Sequence, residues 1–132
     1  MGQNNREIVE EIYAAANRGD LEAIAARMHP DVVLHQAPSL PYGGEYEGVE
    51  AAMACLVEMF TRHWEVGALT VHNIAVDGDV VITAVDLTAT ARPTGKQVKM
   101  PFRECFVLRD GLVVDLQPFY YDTAAIAAAF AA

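Results

Sequence analysis

Apolar residues recur at helical spacing in the first half of the chain. Residues 5–18 carry an apolar stripe of this kind, which predicts an amphipathic helix. Asp20 can cap a second helix over 21–28, and Pro30 ends it because proline disfavours helical backbone at the preceding residue. A third helix is predicted over 49–63. Its larger apolar side chains lie on or near one stripe: Met53, Leu56, Met59, Phe60 and Trp64.

The remaining pattern is typical of strands. A short strand is predicted over 32–36, and the prolines and glycines of 37–48 indicate an irregular loop. Tight-turn signals then divide the chain into four strands: 66–76, 79–92, 97–109 and 112–121. Strands about twice the usual five or six residues bend, and a bent antiparallel meander has a concave face that helices can close. The pattern predicts one α+β domain over 1–132, with a cone-shaped pocket and a short closing helix capped by Asp122.

Composition and charge narrow the choice of partners. The chain has 132 residues, 53% of them apolar, and a formal charge of −9 from nine Lys and Arg against eighteen Asp and Glu. This balance argues against nucleic acid and membrane surfaces as partners, because both are bound through clustered cations. The N-terminal residues do not resemble a signal peptide, and no run of about 18 apolar residues is present. These features predict a cytoplasmic protein.

Metal and thiol chemistry are not indicated by the sequence. Cys55 and Cys105 form no Cys-x-x-Cys motif and predict neither a disulfide framework nor a zinc site. The four histidines have no ligand spacing, so we expect no metal site. Glycine-rich phosphate loops and the Gly-x-Ser-x-Gly motif are also absent. No cofactor is expected.

The third long strand places one carboxylic acid among apolar side chains. By the period-two rule, Glu104 shares its face with five apolar residues: Val98, Met100, Phe102, Phe106 and Leu108. Burial disfavours the charged form, so we expect a raised pKa and a candidate general acid or base. Arg103 and Arg109 lie on the opposite face and should not reach it. The alternative is that Glu104 lies at a widened rim, paired with an arginine.

The last strand offers a hydroxyl to the same predicted pocket. Tyr120 alternates with apolar residues on one face: Val114, Leu116 and Pro118. A single hydroxyl among apolar side chains suits a pocket wall. Tyr120 is equally compatible with a core aromatic whose hydroxyl is satisfied.

The first strand offers an amide. Gln36 shares a face with Val32 and Leu34, and it would bring a hydrogen-bond donor into an apolar cavity. His35 points the other way unless the strand bulges. A lone histidine is more often structural than a ligand, so we assign it no chemistry.

Several strings and the order of elements resemble the SnoaL-like branch of the nuclear transport factor 2-like superfamily. The strings are NRGDLEAI over 17–24, HPDVV over 29–33 and GEYEG over 44–48, with the turn RDG over 109–111 before a strand that ends in YYD. The resemblance spans nearly the whole chain and implies a cone-shaped fold. Members include polyketide cyclases, ketosteroid isomerases, limonene-epoxide hydrolase and non-catalytic binding modules.

The resemblance also separates these activities residue by residue. Glu104 falls where the cyclases and isomerases place a functional aspartate. The isomerase base falls at Gln36, which cannot abstract a proton, and the isomerase tyrosine of helix one falls one residue from Tyr13. The arginine and aspartate of the hydrolase fall at Val85 and Leu87. The resemblance therefore implies acid–base chemistry through Glu104, and neither ordinary ketosteroid isomerisation nor epoxide hydrolysis.

We expect a small-molecule enzyme of the SnoaL-like type that acts on an apolar, polyketide-like substrate. Glu104 would act as acid or base, with Gln36 and Tyr120 as donors to a developing enolate oxygen. The other residues expected to contact the ligand lie along the predicted pocket wall and its mouth: Tyr13, Leu34, Tyr42, Met53, Phe60, Trp64, Phe102 and Leu116. The alternative is a non-catalytic ligand-binding or dimerisation module of the same fold, because apolar residues replace most catalytic residues of the known enzymes.

The outer face of the sheet predicts a homodimer. The predicted helices cover only the inner face. The outer face carries apolar residues mixed with polar ones: Cys105, Val107, Phe119 and Tyr121 with Arg103 and Gln117. An exposed apolar face of this kind needs a partner. A symmetric dimer is common in the superfamily that the chain resembles.

Overall fold

The computed structural model describes residues 4–132. Its helices are α1 (Asn5–Asn17), α2 (Leu21–Ala25), α3 (Val49–Glu58), a π-helical turn that directly follows α3 (Met59–His63), and α4 (Thr123–Phe130). Its strands are β1 (Met28–Gln36), β2 (Gly44–Glu47), β3 (Trp64–Asp77), β4 (Val80–Ala91), β5 (Gln97–Arg109) and β6 (Leu112–Tyr120). Side chains of Asn4, Asp20 and Asp122 accept hydrogen bonds from backbone N–H groups in the first turns of α1, α2 and α4.

The six strands form one sheet in the order β2-β1-β6-β5-β4-β3. Strands β3 to β6 are the predicted antiparallel meander, with bounds within two residues of those predicted. Strand β1 pairs with β6 in parallel, and β2 pairs with β1 in antiparallel fashion. Together with the helices on one face, this sheet confirms the predicted α+β fold.

Two predicted boundaries between α1 and α3 were wrong: the end of α2, and the start of β1, which begins at Met28 and not at 32. Helix α2 ends at Ala25 and not at 28, because Met28 already belongs to β1. Pro30 consequently lies inside a strand. It is exposed and falls between Met28 and Val33, where the pairing with β6 is interrupted, so the missing N–H costs no ladder hydrogen bond.

The loop predicted over 37–48 also contains a strand. Its last part, β2, pairs with residues 33–36 of β1. The pairing covers backbone groups of β1 that would otherwise form an open sheet edge. A run of Gly, Glu and Tyr carries no strong strand signal, so only the position of β1 makes this strand favourable.

One residue of β6 faces the opposite way from the prediction. Val113 is fully buried and Val114 is half-buried, whereas the simple alternation placed Val114 on the inner face. The pairing with β5 skips Val114, which is the extra residue of a β-bulge. Beyond the bulge the alternation continues as predicted to Tyr120.

The helices cover one face of the sheet and leave a cavity beneath them. Helix α1 packs on β3 and β4, α3 packs on β1, and α4 packs on β5. Phe106, Leu34 and Ile126 are among the largest fully buried side chains of this core. Within residues 4–132, no helix has the length and apolar character needed to cross a membrane.

Candidate functional site

A cavity of about 100 Å³ lies between the helices and the inner face of the sheet. Its wall is almost wholly apolar, with a few polar side chains among the lining residues. Nine residues that the sequence predicted for the site line it: Tyr13, Leu34, Gln36, Phe60, Trp64, Phe102, Glu104, Leu116 and Tyr120. Such a setting, an apolar cavity with a few converging polar groups, is typical of a small-molecule site.

Two other predicted residues do not line this cavity. Tyr42 is buried and borders a separate, more open cleft together with Cys55 and His63. Met53 packs half-buried against the core, nearly one turn before Leu56, which does line the cavity. The helical stripe groups these residues on one side, but only the C-terminal part of α3 reaches the cavity.

Glu104 points into the cavity from β5, as the alternation predicts. The hydroxyl of Tyr13 on α1 donates a hydrogen bond to Glu104 Oε1 at 2.6 Å. Among residues 4–132, no ion pair and no second hydrogen bond involves Glu104, and Arg103 instead donates to the carbonyl of Phe102. One carboxyl oxygen is thus held by Tyr13, and the other is free for a molecule in the cavity.

The surroundings of Glu104 shift its protonation toward neutral pH. Burial raises the pKa of Glu104 to about 7, and the hydrogen bond from Tyr13 offsets only part of this effect. Burial, and then the negative charge of Glu104, raise the pKa of Tyr13 far above its ordinary value. Tyr13 therefore stays protonated as a donor, while Glu104 is present near pH 7 as both acid and carboxylate.

The sequence analysis missed Thr83. Its Oγ1 lies 2.7 Å from the Tyr13 hydroxyl, and the residue is only 1% exposed. Thr83 pairs directly with Glu104 across β4 and β5. Since Tyr13 donates to Glu104, Thr83 donates to Tyr13 and completes a short chain of hydrogen bonds. The alternation of Thr83 with the buried Val81 was a signal for its inward position.

Gln36 enters the cavity from the inner face of β1, as predicted, and is 5% exposed. Its Nε2 lies 3.3 Å from Sδ of Met59, the first residue of the π-helical turn. Its Oε1 is buried and has no hydrogen-bond partner in the part of the chain that the structure describes. A buried acceptor without a partner costs about 1–3 kcal/mol.

Tyr120 lies beside Phe102, with ring centroids 5.5 Å apart, and lines the cavity. Its hydroxyl interacts with that of Tyr42, which also accepts a hydrogen bond from Nε1 of Trp64 at 2.9 Å. Burial raises the pKa of Tyr120 well above its ordinary value and that of Tyr42 to about 12. Tyr42 thus holds two residues of the cavity wall, Trp64 and Tyr120.

His35 lies on the opposite side of β1 from Gln36. Its Nδ1 is 3.0 Å from Glu45 Oε1, and its Nε2 is 2.8 Å from Asp115 Oδ1. Burial lowers the pKa of His35, but the hydrogen bonds with Asp115 and Glu45 outweigh this effect and raise it. In the described residues, no three His, Cys, Asp or Glu side chains form a group that could hold a metal ion.

The fold and the cavity define a small α+β protein in which a curved sheet and its helices enclose an acid-bearing apolar pocket. A family model described as the SnoaL-like domain matches residues 9–116, and the chain belongs to this family. The expected resemblance to the SnoaL-like branch of the nuclear transport factor 2-like superfamily is thereby confirmed. No curated protein matches the chain in sequence.

Solved structures share this fold over almost their full lengths. An NTF2-like protein of unknown function from Burkholderia pseudomallei is 25% identical, with a TM-score of 0.89 over 99% of this chain and 100% of that one. TerC, co-crystallised with polyporic acid, is 23% identical, with a TM-score of 0.81 over 96% and 97%. A protein described as a SnoaL-like polyketide cyclase from Jannaschia sp. CCS1 is 23% identical, with a TM-score of 0.79 over 99% of each chain.

Proposed function

We propose that this protein catalyses proton transfer at a carbon next to a carbonyl group, on an apolar small molecule bound in the cavity. The observation that carries the proposal is Glu104: a half-buried carboxyl in the cavity wall with one oxygen held by Tyr13 and the other free, in an otherwise apolar pocket. A pKa of about 7 is suited to a general base or acid at neutral pH. Such chemistry underlies both isomerisation and cyclisation of ketones, and it needs no cofactor.

In the proposed reaction the free oxygen of the Glu104 carboxylate takes the proton from the substrate carbon. The electron pair of the broken C–H bond forms the enolate, and its negative charge develops on the carbonyl oxygen. Glu104, now protonated, returns the proton to carbon or to the enolate oxygen and becomes a carboxylate again. Tyr13 stays protonated throughout and keeps the carboxyl group in position.

Tyr120 is the proposed donor to the enolate oxygen. Tyr42 accepts a hydrogen bond from Trp64, and the hydroxyl of Tyr120 interacts with the same oxygen as a donor. In the proposed reaction the Tyr120 proton turns from Tyr42 to the enolate oxygen, because a developing negative charge is a stronger acceptor than a neutral phenol. The second donor expected from the sequence, the Nε2 of Gln36, donates one of its two N–H groups to Met59.

The proposal predicts that Glu104→Gln removes proton exchange. Incubated in D₂O, acetophenone or 1-indanone should exchange the protons next to its carbonyl faster with the wild-type protein, and the rate should rise as the pH passes through about 7. Loss of the carboxylate should reduce the enzyme-dependent rate by about 10²–10⁴-fold. Proton NMR measures the exchange, and Glu65→Gln, at an exposed position of β3, is the matched control.

A non-catalytic ligand-binding protein is the second candidate, favoured by the apolar character of nearly the whole cavity wall. It predicts that both ketones bind and that neither exchanges faster with wild type than without protein. That result would reject the catalytic proposal. The known co-crystal of TerC with polyporic acid supports small-molecule binding under either candidate.

We also propose that the outer face of the sheet forms a homodimer. Phe119 is 54% exposed and Ile82 48% exposed on this face, and Tyr121 follows β6 directly. We expect a dimer by light scattering at micromolar concentration and a monomer for Phe119→Glu, because a charge in an apolar interface is costly. Val57→Glu, at an exposed position of α3, should remain dimeric. A monomeric wild-type protein would reject the interface.

A further inference from the structure

The polar groups of the cavity lie in one row across the sheet. Glu104 on β5 pairs with Thr83 on β4 and with Pro118 on β6. On the other side of Pro118, β1 and β6 run parallel with Leu34 opposite Leu116, which places Gln36 beside Pro118 two residues further along. Strands lie about 4.8 Å apart, so the backbones at Gln36 and Glu104 are separated by two spacings, or roughly 10 Å.

The two ends of this row have different hydrogen-bonding capacity. The Glu104 end is tied to Tyr13 and Thr83 through donated protons. The Gln36 end presents a carbonyl oxygen that is buried and has no partner among the described residues. Only Pro118, which has no polar side-chain group, lies between them. The row therefore carries an acid–base group on one side of Pro118 and an unused acceptor on the other.

The contact with Met59 determines which amide atom of Gln36 is available. An N–H group can donate weakly to the thioether sulfur, as the Nε2–Sδ distance of 3.3 Å indicates. The reverse orientation would place the carbonyl oxygen against the lone pairs of the same sulfur and would gain no hydrogen bond. One N–H of the amide is thus used on the protein, and the carbonyl oxygen stays available as an acceptor for the content of the cavity.

We propose that the cavity selects a single-ring apolar ketone that carries a hydroxyl group at the end of the ring opposite the carbonyl. The hydroxyl donates to Gln36 Oε1, and the carbon next to the carbonyl lies at Glu104; the second contact rests on the proposed function. The cavity volume of about 100 Å³ is below the roughly 150 Å³ of a cavity that binds benzene, so a single ring is the upper limit for the occupant. The row length matches a ring with one short substituent at each end.

The test compares two ligands of nearly equal shape, 4-hydroxyacetophenone and 4-methylacetophenone. Isothermal titration calorimetry should show that the wild-type protein binds the hydroxyl compound about tenfold more tightly. Gln36→Met keeps the side-chain length and removes the acceptor, so it should abolish or invert this preference. The free Gln36→Met protein should also melt at a higher temperature than wild type, because no buried acceptor is left without a partner.

Glu104→Gln separates this inference from the proposed function. It should keep the preference for the hydroxyl compound, because Gln36 is unchanged, even though proton exchange is lost. If wild type shows no proton exchange but prefers the hydroxyl compound through Gln36, the proposed function fails and the recognition of the hydroxyl stands. Equal binding of the two ligands, a preference that survives in Gln36→Met, or no binding of either compound would overturn the inference.

Discussion

Glu104→Gln is expected to remove the pH dependence of the unfolding free energy that comes from the Glu104 carboxyl group in the cavity. The pKa of Glu104 is about 7 in the folded protein, against 4.5 for the ordinary carboxyl group. Because the folded pKa is raised, the neutral acid stabilises the fold fully below about pH 4.5, and this contribution is lost as the pH rises through 7. The interval between the two values corresponds to roughly 3 kcal/mol.

The glutamine side chain keeps an acceptor for Tyr13 and cannot ionise. The difference in unfolding free energy between Glu104→Gln and wild type should therefore shift by about 3 kcal/mol in favour of the variant between pH 4.5 and pH 8. Urea denaturation at a series of pH values measures this difference, and effects of the other titrating groups cancel in it. Glu65→Gln should show no comparable shift, since its side chain is exposed.

A constant difference across this pH range would contradict the assignment. A variant that is less stable than wild type at pH 8 would show instead that the carboxylate of Glu104 is a structural hydrogen-bond acceptor for Tyr13. In that case the general-base role would have to be abandoned, because a carboxylate that stabilises the fold is not held at a raised pKa.

Phe106→Ala is expected to have the largest effect on stability among substitutions in the cavity wall. Phe106 is 1% exposed, lines the cavity and contacts the ring of Tyr13 edge-on, with centroids 5.9 Å apart. Replacing a buried phenylalanine by alanine costs about 3–5 kcal/mol, because apolar contacts are lost and the space is only partly refilled. Urea denaturation measures the loss in unfolding free energy, and an unchanged slope of this free energy against urea concentration shows that unfolding remains two-state.

The same substitution also tests the hydrogen bond from Tyr13 to Glu104. Without the ring of Phe106, more water reaches the carboxyl group, which lowers the pKa of Glu104, while looser positioning of Tyr13 weakens a hydrogen bond and raises it. Because burial is the larger of the two causes, the pKa should fall toward 4.5. Phe106→Leu retains most of the apolar volume and should cost less than about 1.5 kcal/mol. Equal losses for the two variants would show that Phe106 is not packed as described.

Much of the fold could be predicted because long strands and amphipathic helices carry strong periodic patterns. The bounds of β3 to β6, the range 49–63 and the caps at Asp20 and Asp122 follow from local residue types and turn chemistry. The details that could not be predicted depend on which strand lies beside which in the sheet. Strand β2 forms only because β1 lies beside it, and the bulge at Val114 reflects the register with β5.

The cavity residues also divide into those that a local pattern predicts and those that depend on the tertiary structure. The alternation of β5 and β1 alone determined that Glu104 and Gln36 face inward, since side chains of a strand alternate whatever lies opposite. Helical spacing, however, grouped Met53 with residues of the cavity wall, although only the end of α3 reaches it. Sequence position also suggested Tyr42 as a ligand contact, whereas its hydroxyl holds Trp64.

The sequence by itself determined the α+β fold, the inward acid of β5 and the acidic surface charge, because each depends on residue type and short-range periodicity. Only the tertiary structure decided which groups that acid contacts. The contact between Tyr13 and Glu104 joins residues 91 positions apart, and the contact between Tyr13 and Thr83 joins residues 70 apart. Both require α1 to cross the sheet at one particular place, and that placement follows from the packing of the whole core, which no local pattern encodes.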